Sequence, residues 1–383
     1  MRDVVVVGGG PVGVFLAALL AEAGLDVAVW EKRTRPAPLS RAIGIHPPSM
    51  EAFGRIGVAD AIAAKAVHIH RGIARSGGRT LGTVSFDAVH AEFDYIASLP
   101  QHETEAIVAD RLAELAPNCL QRGMELVAID DVDPHHVRLH ARHEGRDVFE
   151  VARFVVGADG ARSAVRKLLG IPAALRAYSD AFVMGDFRDD TGEGDDAVIH
   201  LERDGVVESF PLPGGRRRFV AHTGKPLERP TVGDVAALIS DRVGTRVDPA
   251  TNSMLSAFVT RRRLAERLVR GRVVLIGDAA HEISPIGGQG MNLGWLDAAE
   301  LAPLLVRGAR RELVDTSLFE ALEAFEQNRL RSARRAARQA EVNMAMGRPS
   351  AGVRRTARDV GLGILLGSPA NRVLARTYAM AWA

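Results

Sequence analysis

The sequence predicts an α/β fold: a Rossmann-like dinucleotide-binding domain with an inserted, mainly antiparallel β-sheet and C-terminal helices. Three observations predict it. Residues 1–31 read as strand, glycine turn, helix, strand and acid. Residues 174–265 change to alternating short segments separated by Gly- and Asp-rich turns (TGEGDD, ERDG, PGG). The runs RFVVG (153–157) and RVVLI (272–276) are apolar strands of the kind buried on both faces of a parallel sheet.

Residues 2–7 (RDVVVV) are a β-branched run suited to such a buried strand. Gly8-Gly9-Gly10-Pro11-Val12-Gly13 follows, placing G-x-G-x-x-G at the strand-to-helix turn. Residues 14–24 have helical periodicity and a glycine stop, and residues 25–30 form a second apolar strand closed by Glu31. In a βαβ unit of this kind Gly8 permits the tight turn, Gly10 the approach of a pyrophosphate, and Gly13 close helix–strand packing. The helix N-terminus offers free N–H groups and about half a positive charge to phosphates. Glu31 sits where a carboxylate accepts hydrogen bonds from an adenosine ribose.

Residues 32–48 read as a polar loop with four prolines, running into a helix from Ser49. Arg41 in this loop is either a phosphate or ribityl contact or a solvated arginine. Residues 67–86 read as short strands around a Gly77-Gly78 turn. Gln101 precedes a helix over 104–115, where it either meets a cofactor edge or caps that helix. Residues 125–129 and 137–141 resemble strands of a small antiparallel layer. His135, His136, His140 and His143 are not read as a metal site. His136, Arg138, His140 and Arg142 alternate with Val137, Leu139 and Ala141, which is one wet face of a strand, and no cysteine or suitably placed carboxylate completes a ligand set. After the strand at 153–157, Asp159 stands at a glycine turn before a helix, the place of a site on an α/β sheet edge.

Within the inserted region, residues 181–187, 197–202, 206–212 and 218–222 read as strands, and 236–243 and 262–268 as helices. The strand at 272–276 ends in Gly277-Asp278-Ala279-Ala280-His281. Pro285-Ile286-Gly287-Gly288-Gln289-Gly290-Met291-Asn292 then opens a long helix over 293–305, and an arginine-rich helix follows over 317–346. The apolar tail, 361–383, is broken by Pro369. It reads as a terminal helix docked on the body or as a dimer contact, with an interfacial anchor as the alternative.

A chain of 383 residues favours two domains. The net charge of +2 gives no argument for nucleic acid, and the excess of arginine (45 Arg, 4 Lys) reads as composition rather than function. The single cysteine, Cys119, excludes an intramolecular disulfide and suits a reducing cytoplasm, the expected location. The N-terminus reads as a structural strand rather than a signal peptide, and no run of about eighteen uncharged apolar residues predicts a membrane span. No internal repeat or low-complexity tract is present.

Three stretches stand in order: Gly8 to Gly13 with Glu31; Gly157-Ala158-Asp159-Gly160-x-x-Ser163-x-x-Arg166; and Gly277-Asp278-x-x-His281 with Pro285 and Gly287-x-Gln289-Gly290-x-Asn292. Together they resemble the p-hydroxybenzoate hydroxylase-like, single-component (class A) FAD-dependent aromatic monooxygenases, over residues 1 to about 345. The resemblance implies a FAD-binding domain of the glutathione reductase type. It assigns the ADP half of FAD to Gly8, Gly10, Pro11, Val12, Gly13, Glu31 and Lys32, the pyrophosphate neighbourhood to Asp159, and the ribityl chain to Asp278. Arg41 and Gln101 match places that touch FAD in that family, and Val127, Gly288, Gly290, Met291 and Asn292 join the cofactor set. The helix starting near Gly290 is expected to aim its N-terminus at the flavin pyrimidine edge, Pro285 to lie over the reactive face, and Asn292 to brace the loop.

The activity implied is hydroxylation of a phenol, quinone or aromatic polyketide with NAD(P)H and O2 through a flavin C4a-hydroperoxide, in a dry site. No second G-x-G-x-x-G is present, so NAD(P)H is expected to bind transiently, unlike in disulfide reductases or Baeyer–Villiger enzymes. The expected division is a FAD-binding domain over 1–70, 99–173 and 268–345, a substrate-binding sheet domain over 71–98 and 174–267, and a helical tail over 346–383. Phe182, Met184, His200, Phe210 and His222 are candidates to line the substrate site, each with sheet packing as the competing reading, and His222 or His200 is a candidate to assist phenol deprotonation. No metal and no nucleic-acid partner are expected, and the chain is read as a monomer or homodimer. The alternative is a related FAD-dependent epoxidase or reductase of an isoprenoid or lipid-like substrate. A halogenase lacks support, since tryptophan occurs only at 30, 295 and 382. Asp278 and the intact glycines speak against a flavin-free binding protein of the same fold.

Overall fold

The computed structural model describes residues 1–35, 41–132, 135–312 and 315–382. In chain order the elements are β1 (Arg2–Val7), α1 (Pro11–Glu22), β2 (Val27–Glu31), β3 (Gly44–Ile45), α2 (Pro47–Gly54), α3 (Ala59–Lys65), β4 (Val67–Ile69), β5 (Arg71–Ser76), β6 (Arg79–Ser85), β7 (Ile96–Ser98), α4 (Gln101–Leu115), β8 (Leu120–Arg122), β9 (Met124–Val132), β10 (Val137–His143) and β11 (Arg146–Gly157). There follow α5 (Ala164–Leu168), β12 (Ala173–Arg188), β13 (Ala197–Glu202), β14 (Gly205–Leu212), β15 (Arg216–His222), α6 (Val232–Val243), β16 (Met254–Ala265), β17 (Val269–Arg270), β18 (Val273–Leu275), β19 (His281–Glu282), α7 (Gln289–Ala309), α8 (Asp315–Gly347), α9 (Gly352–Leu366) and α10 (Ala370–Tyr378). Residues 36–40 of the expected loop lie outside the described residues.

The first sheet runs β17-β18-β11-β1-β2-β8, with β18, β11, β1, β2 and β8 parallel and β17 antiparallel at one edge. Continuous valine runs suit it because both faces are covered: Val4, Val5 and Val6 are fully buried, as are Val155 and Val156 opposite them. The long β11 serves three partners, β10, β1 and β18. Its first half continues an antiparallel meander with β10 and β9, and its second half runs parallel to β1. The alternation of Val137, Leu139 and Ala141 inward against Arg138 and Arg142 outward holds, and His140 bonds Asp147 and stacks on Phe149.

The second sheet runs β19-β16-β12-β15-β14-β13-β5-β6. Its neighbours are antiparallel except β13 and β5. One face packs Val183, Phe187, Val207 and Phe219 against Val235 and Ile239 of α6. The opposite face turns Met184, Val206 and Val220 toward Ile286 of the loop before α7 and Met344 of α8. The helix expected over 262–268 is instead the end of strand β16. Residues 261–265 pair with 173–177 of β12, some ninety residues earlier in the chain, and that ladder overrides the local helical preference of RRRLAER.

The tail docks on the body. Leu366 and Ala375 join Ile69, Val84, Phe86 and Val89 in one apolar cluster, and a Cβ at Gly82 would meet the Leu366 side chain at 2.4 Å. Arg348, at the exit of α8, holds Asp180 at 2.8 and 3.0 Å, and Arg355 of α9 reaches Glu202. Among the described residues no helix is long and apolar enough to cross a membrane. Leu366→Ala is expected to lower stability by about 2–4 kcal/mol, measured as a shift in denaturant midpoint with unchanged slope.

Candidate functional site

Four loops at the C-terminal ends of parallel strands converge, the usual site of an open α/β sheet. After β1, Gly8 takes a positive φ of +114°, and a Cβ there would lie 2.4 Å from the Ala158 carbonyl oxygen. The turn after β1 is thereby pressed against the turn after β11. At the end of β2, Glu31 accepts from the backbone N–H groups of Gly9 and Arg33, each at 2.8 Å, which fixes its carboxylate at the cavity rim. After β11, Asp159 Oδ2 accepts from the N–H groups of Ala164 (2.6 Å) and Val165, while its buried Oδ1 has no protein partner among the described residues. After β18, Asp278 turns its exposed surface into the cavity. The surrounding protein strips it of water and pushes its carboxyl up to about 6, with His281 opposing that rise. Arg166 donates to the Ala279 carbonyl at 2.7 Å and locks the β11 and β18 loops together.

Below Asp278 lies a buried charge network. Asp297 of α7 accepts from Gly277 N–H at 2.9 Å, contacts His281 Nε2 at 2.6 Å, and accepts from Arg329 Nε of α8 at 2.7 Å. Burial would raise the Asp297 carboxyl, but His281 and Arg329 overcome it and hold it below the ordinary carboxylate range. Burial likewise opposes charge on His281, and Asp297 reverses it, so the imidazole titrates above its ordinary value.

Helix N-termini supply the positive ends. Both α1, capped by Gly10, and α7, capped by Gly288 in the left-handed region, lack a side-chain cap, so their first N–H groups face the cavity that Gly10 and Gly288 line. Asn292 braces the loop ahead of α7: it accepts from His46 N–H and donates to the Gly44 and Gly288 carbonyls, each at 2.9 Å. Pro285 and Gly287 line the same cavity. Arg41 is not simply solvated. Its Nε donates to Ser256 Oγ at 3.0 Å, and its guanidinium lies over the Phe258 ring. Gln101 is the first residue of α4, donates to Glu105 and also lines the cavity.

These features open on one continuous cavity of about 1200 Å³, which runs from Gly8 and Glu31 past Pro285 into an apolar chamber under the second sheet. That volume exceeds the ~300–1,000 Å³ of a single small-molecule site, so it can hold two ligands end to end. Gly8, Gly10, Pro11, Val12, Glu31, Lys32, Arg41, Gln101, Asp159, Asp278, Gly288, Gly290 and Met291 all line it. Gly13 does not; it packs under the turn, where a Cβ would lie 2.0 Å from the Gly8 carbonyl oxygen. Val127 faces outward, and Met124, Glu125 and Leu126 line the cavity in its place.

Of the expected substrate residues, Met184 and Phe210 line the chamber. His200 does not. In β13 the wall is made by Ile199 and Leu201, so His200 lies on the other face, against Glu193. Phe182 shares a face with Met184 but is sealed by Phe258 and His222. His222 is buried beyond the cavity, with Nε2 3.2 Å from Asp180, and burial holds its pKa below the ordinary value despite that carboxylate. The sequence reading missed Glu208, Arg218, Phe258 and Tyr378, all of which line the cavity. A period-2 reading of β14 would have placed Glu208 on the face of Val206 and Phe210.

The model of the family described as FAD binding domain matches residues 1–340. The chain is 33% identical over 336 residues to 6-methylpretetramide 4-monooxygenase of Streptomyces rimosus, covering 84% of this chain and 59% of that protein. Its fold is similar to that of p-nitrophenol 4-monooxygenase from Pseudomonas putida DLL-E4, with a TM-score of 0.87 at 24% identity over 100% and 97% of the two chains. It is also similar to an anhydrotetracycline hydroxylase structure from Streptomyces rimosus, with a TM-score of 0.79 at 28% identity over 99% and 76%. The chain spans 59% to 65% of the length of the first curated relatives it matches.

Proposed function

The chain belongs to the FAD-binding-domain family of p-hydroxybenzoate hydroxylase-type flavoprotein monooxygenases, and from that premise we propose that it hydroxylates a phenolic, quinone or polyketide-like aromatic substrate with NAD(P)H and O2. The observation that carries this reading is the single cavity joining a dinucleotide cradle to an apolar chamber.

The residues fit FAD. Gly10 has nothing within 4 Å of the place its Cβ would occupy, so its bare backbone leaves room that a pyrophosphate would fill beside the α1 N-terminus. The unpartnered Asp159 Oδ1 is a buried polar atom that a cofactor would satisfy. Glu31 would hold the adenosine ribose, Asp278 the ribityl chain, and the α7 N-terminus the electron-rich edge of the flavin ring. When bound, FAD supplies hydride acceptance from NAD(P)H and activation of O2. The chain's own contribution would be to hold the flavin ring with the loop 287–290 and Pro285, which line the cavity, and to keep the chamber dry with Met184, Phe210, Val220 and Phe258.

The test is anaerobic addition of NADPH or NADH to the FAD-loaded protein, with and without each of a panel of phenols, followed by ¹⁸O2. The expected result is flavin bleaching accelerated by some phenols and one ¹⁸O atom in their products. A purified chain that takes up no FAD would overturn the reading. Glu31→Gln is expected to weaken FAD about 10-fold or more, because a charged acceptor for the ribose becomes neutral, as read from flavin fluorescence titration.

A further inference from the structure

One carboxylate in the chamber has no structural employment. Glu208 lies in the middle of β14, paired with Ile199 of β13 and Val220 of β15, both of which line the chamber. It is half-buried, and its free surface opens into that cavity. Among the described residues it has no hydrogen bond and no ion pair. A glutamate held in such surroundings without a partner stabilises nothing in the fold.

Its one polar neighbourhood comes from the helices across the chamber. On α10, burial pushes the Tyr378 hydroxyl up to about 12, and the charge of nearby Glu208 adds to that rise. The Tyr378 hydroxyl donates to Asn343 Oδ1 at 2.9 Å, and Gln339 Nε2 donates to the same oxygen at 3.2 Å. Asn343 in turn stands against the cofactor loop, where a Cβ on Gly287 would lie 2.7 Å from Asn343 Nδ2. A polar row therefore leads from the loop after Pro285, through Asn343 and Tyr378, toward Glu208, on a wall that also carries Gln339 and Arg218.

We propose that Glu208 accepts the proton of the substrate's phenolic hydroxyl, so that this chamber selects aromatic rings bearing a free hydroxyl and presents them as phenolates. This rests on the hydroxylase reading above. The phenol O–H bond breaks, its proton passes to a Glu208 oxygen, and the electron pair stays on the ring oxygen, where it enriches the ring for attack by an electrophilic oxygen. Once the ring regains aromaticity, the same carboxylic acid returns the proton to the ring oxygen. Burial pushes Glu208 up to about 7, closer to an ordinary phenol near 10 than a solvent-exposed glutamate would be. The other groups of this wall do not compete. Arg218 on β15 is paired with Asp186 at 2.7 and 2.8 Å, Tyr378 is pushed up to about 12 by burial and stays neutral, and Gln339 and Asn343 carry no charge.

The test is equilibrium dialysis of the FAD-loaded protein with 2-naphthol and with its methyl ether, from pH 5.5 to 8.5. Wild-type affinity for the naphthol is expected to rise as pH passes about 7 and Glu208 ionises, and affinity for the ether to fall over the same range. Glu208→Gln should weaken naphthol about 10-fold at pH 8, flatten both pH profiles and leave the ether within about twofold. Glu208→Asp should restore the naphthol profile in part, which keeps the test valid if the glutamine variant is unstable. An equal loss for both probes, or a pH profile surviving in Glu208→Gln, overturns the proposal while the hydroxylase reading stands. A wild-type chain that holds no FAD overturns both.

Discussion

Asp297→Asn is expected to lower stability by about 3–5 kcal/mol and to abolish retention of FAD through gel filtration. The carboxylate is fully buried and faces two buried cations, His281 and Arg329, which are themselves 0–1% exposed. Neutralising it leaves Arg329 with Glu300 at 2.6 Å and the Leu293 carbonyl, but no longer with a buried counter-charge. Three elements are held by this one side chain: α7 that carries it, α8 through Arg329, and the Gly277–His281 segment through Gly277 N–H and His281. The last of these presents Asp278 to the cavity, so the stability defect and the cofactor defect should appear together. The pH dependence has a definite sign. His281 titrates above its unfolded value of about 6.5, so its ion pair contributes fully below that pH and is lost as pH rises through the folded value. Asp297 titrates below its unfolded value, so its share is present above about 3.9 and lost only in acid. Urea melts from pH 6 to 9 should show wild type losing stability toward the alkaline end and Asp297→Asn losing little. A variant with wild-type midpoint and normal flavin content would show that the network is ornamental.

The parts legible in the sequence are those whose signal is local. RDVVVV, RFVVG and the glycine turn announce a buried parallel ladder because each strand must be apolar on both faces, whatever its neighbours are. The α7 and α8 helices carry their own periodicity over 21 and 33 residues. What failed depends on pairing between distant segments. RRRLAER has good helical residues and becomes strand because 173–177 of β12 lies beside it. His200 carries suitable chemistry, but the face it occupies follows from its neighbours Ile199 and Leu201, which line the chamber. Glu208 shows the reverse error: its face could be read from Val206 and Phe210, yet an isolated glutamate in VVESFPL looks like a solvated one. The helices α8, α9 and α10, arriving from more than a hundred residues away, turn that face into the wall of a chamber.

Two alanine substitutions three residues apart should separate the fold from the cofactor. Gly13→Ala would place a methyl 2.0 Å from the Gly8 carbonyl oxygen, which is backbone and cannot swing away. Either α1 lifts from β1 or the turn opens, and overpacking of this kind costs about 1–3 kcal/mol or more even where side chains can yield. This variant is expected to melt early with or without FAD. Gly10→Ala differs in both backbone and space. Gly10 has φ −84° and ψ −178°, which any residue adopts, and its Cβ would touch nothing within 4 Å. The flavin-free protein should keep its Tm or gain slightly, since alanine narrows the unfolded chain by about 0.4–1 kcal/mol. FAD affinity should nonetheless fall about 100-fold, because the methyl enters the space that the pyrophosphate must share with the α1 N-terminus. Thermal melts and flavin titration on both variants decide it. Folded, colourless Gly10→Ala beside unstable Gly13→Ala would show that one glycine serves the ligand and the other the chain. Normal FAD binding by Gly10→Ala would mean that the phosphates do not lie at this turn, and the cradle assigned from the convergent strand ends would have to be moved.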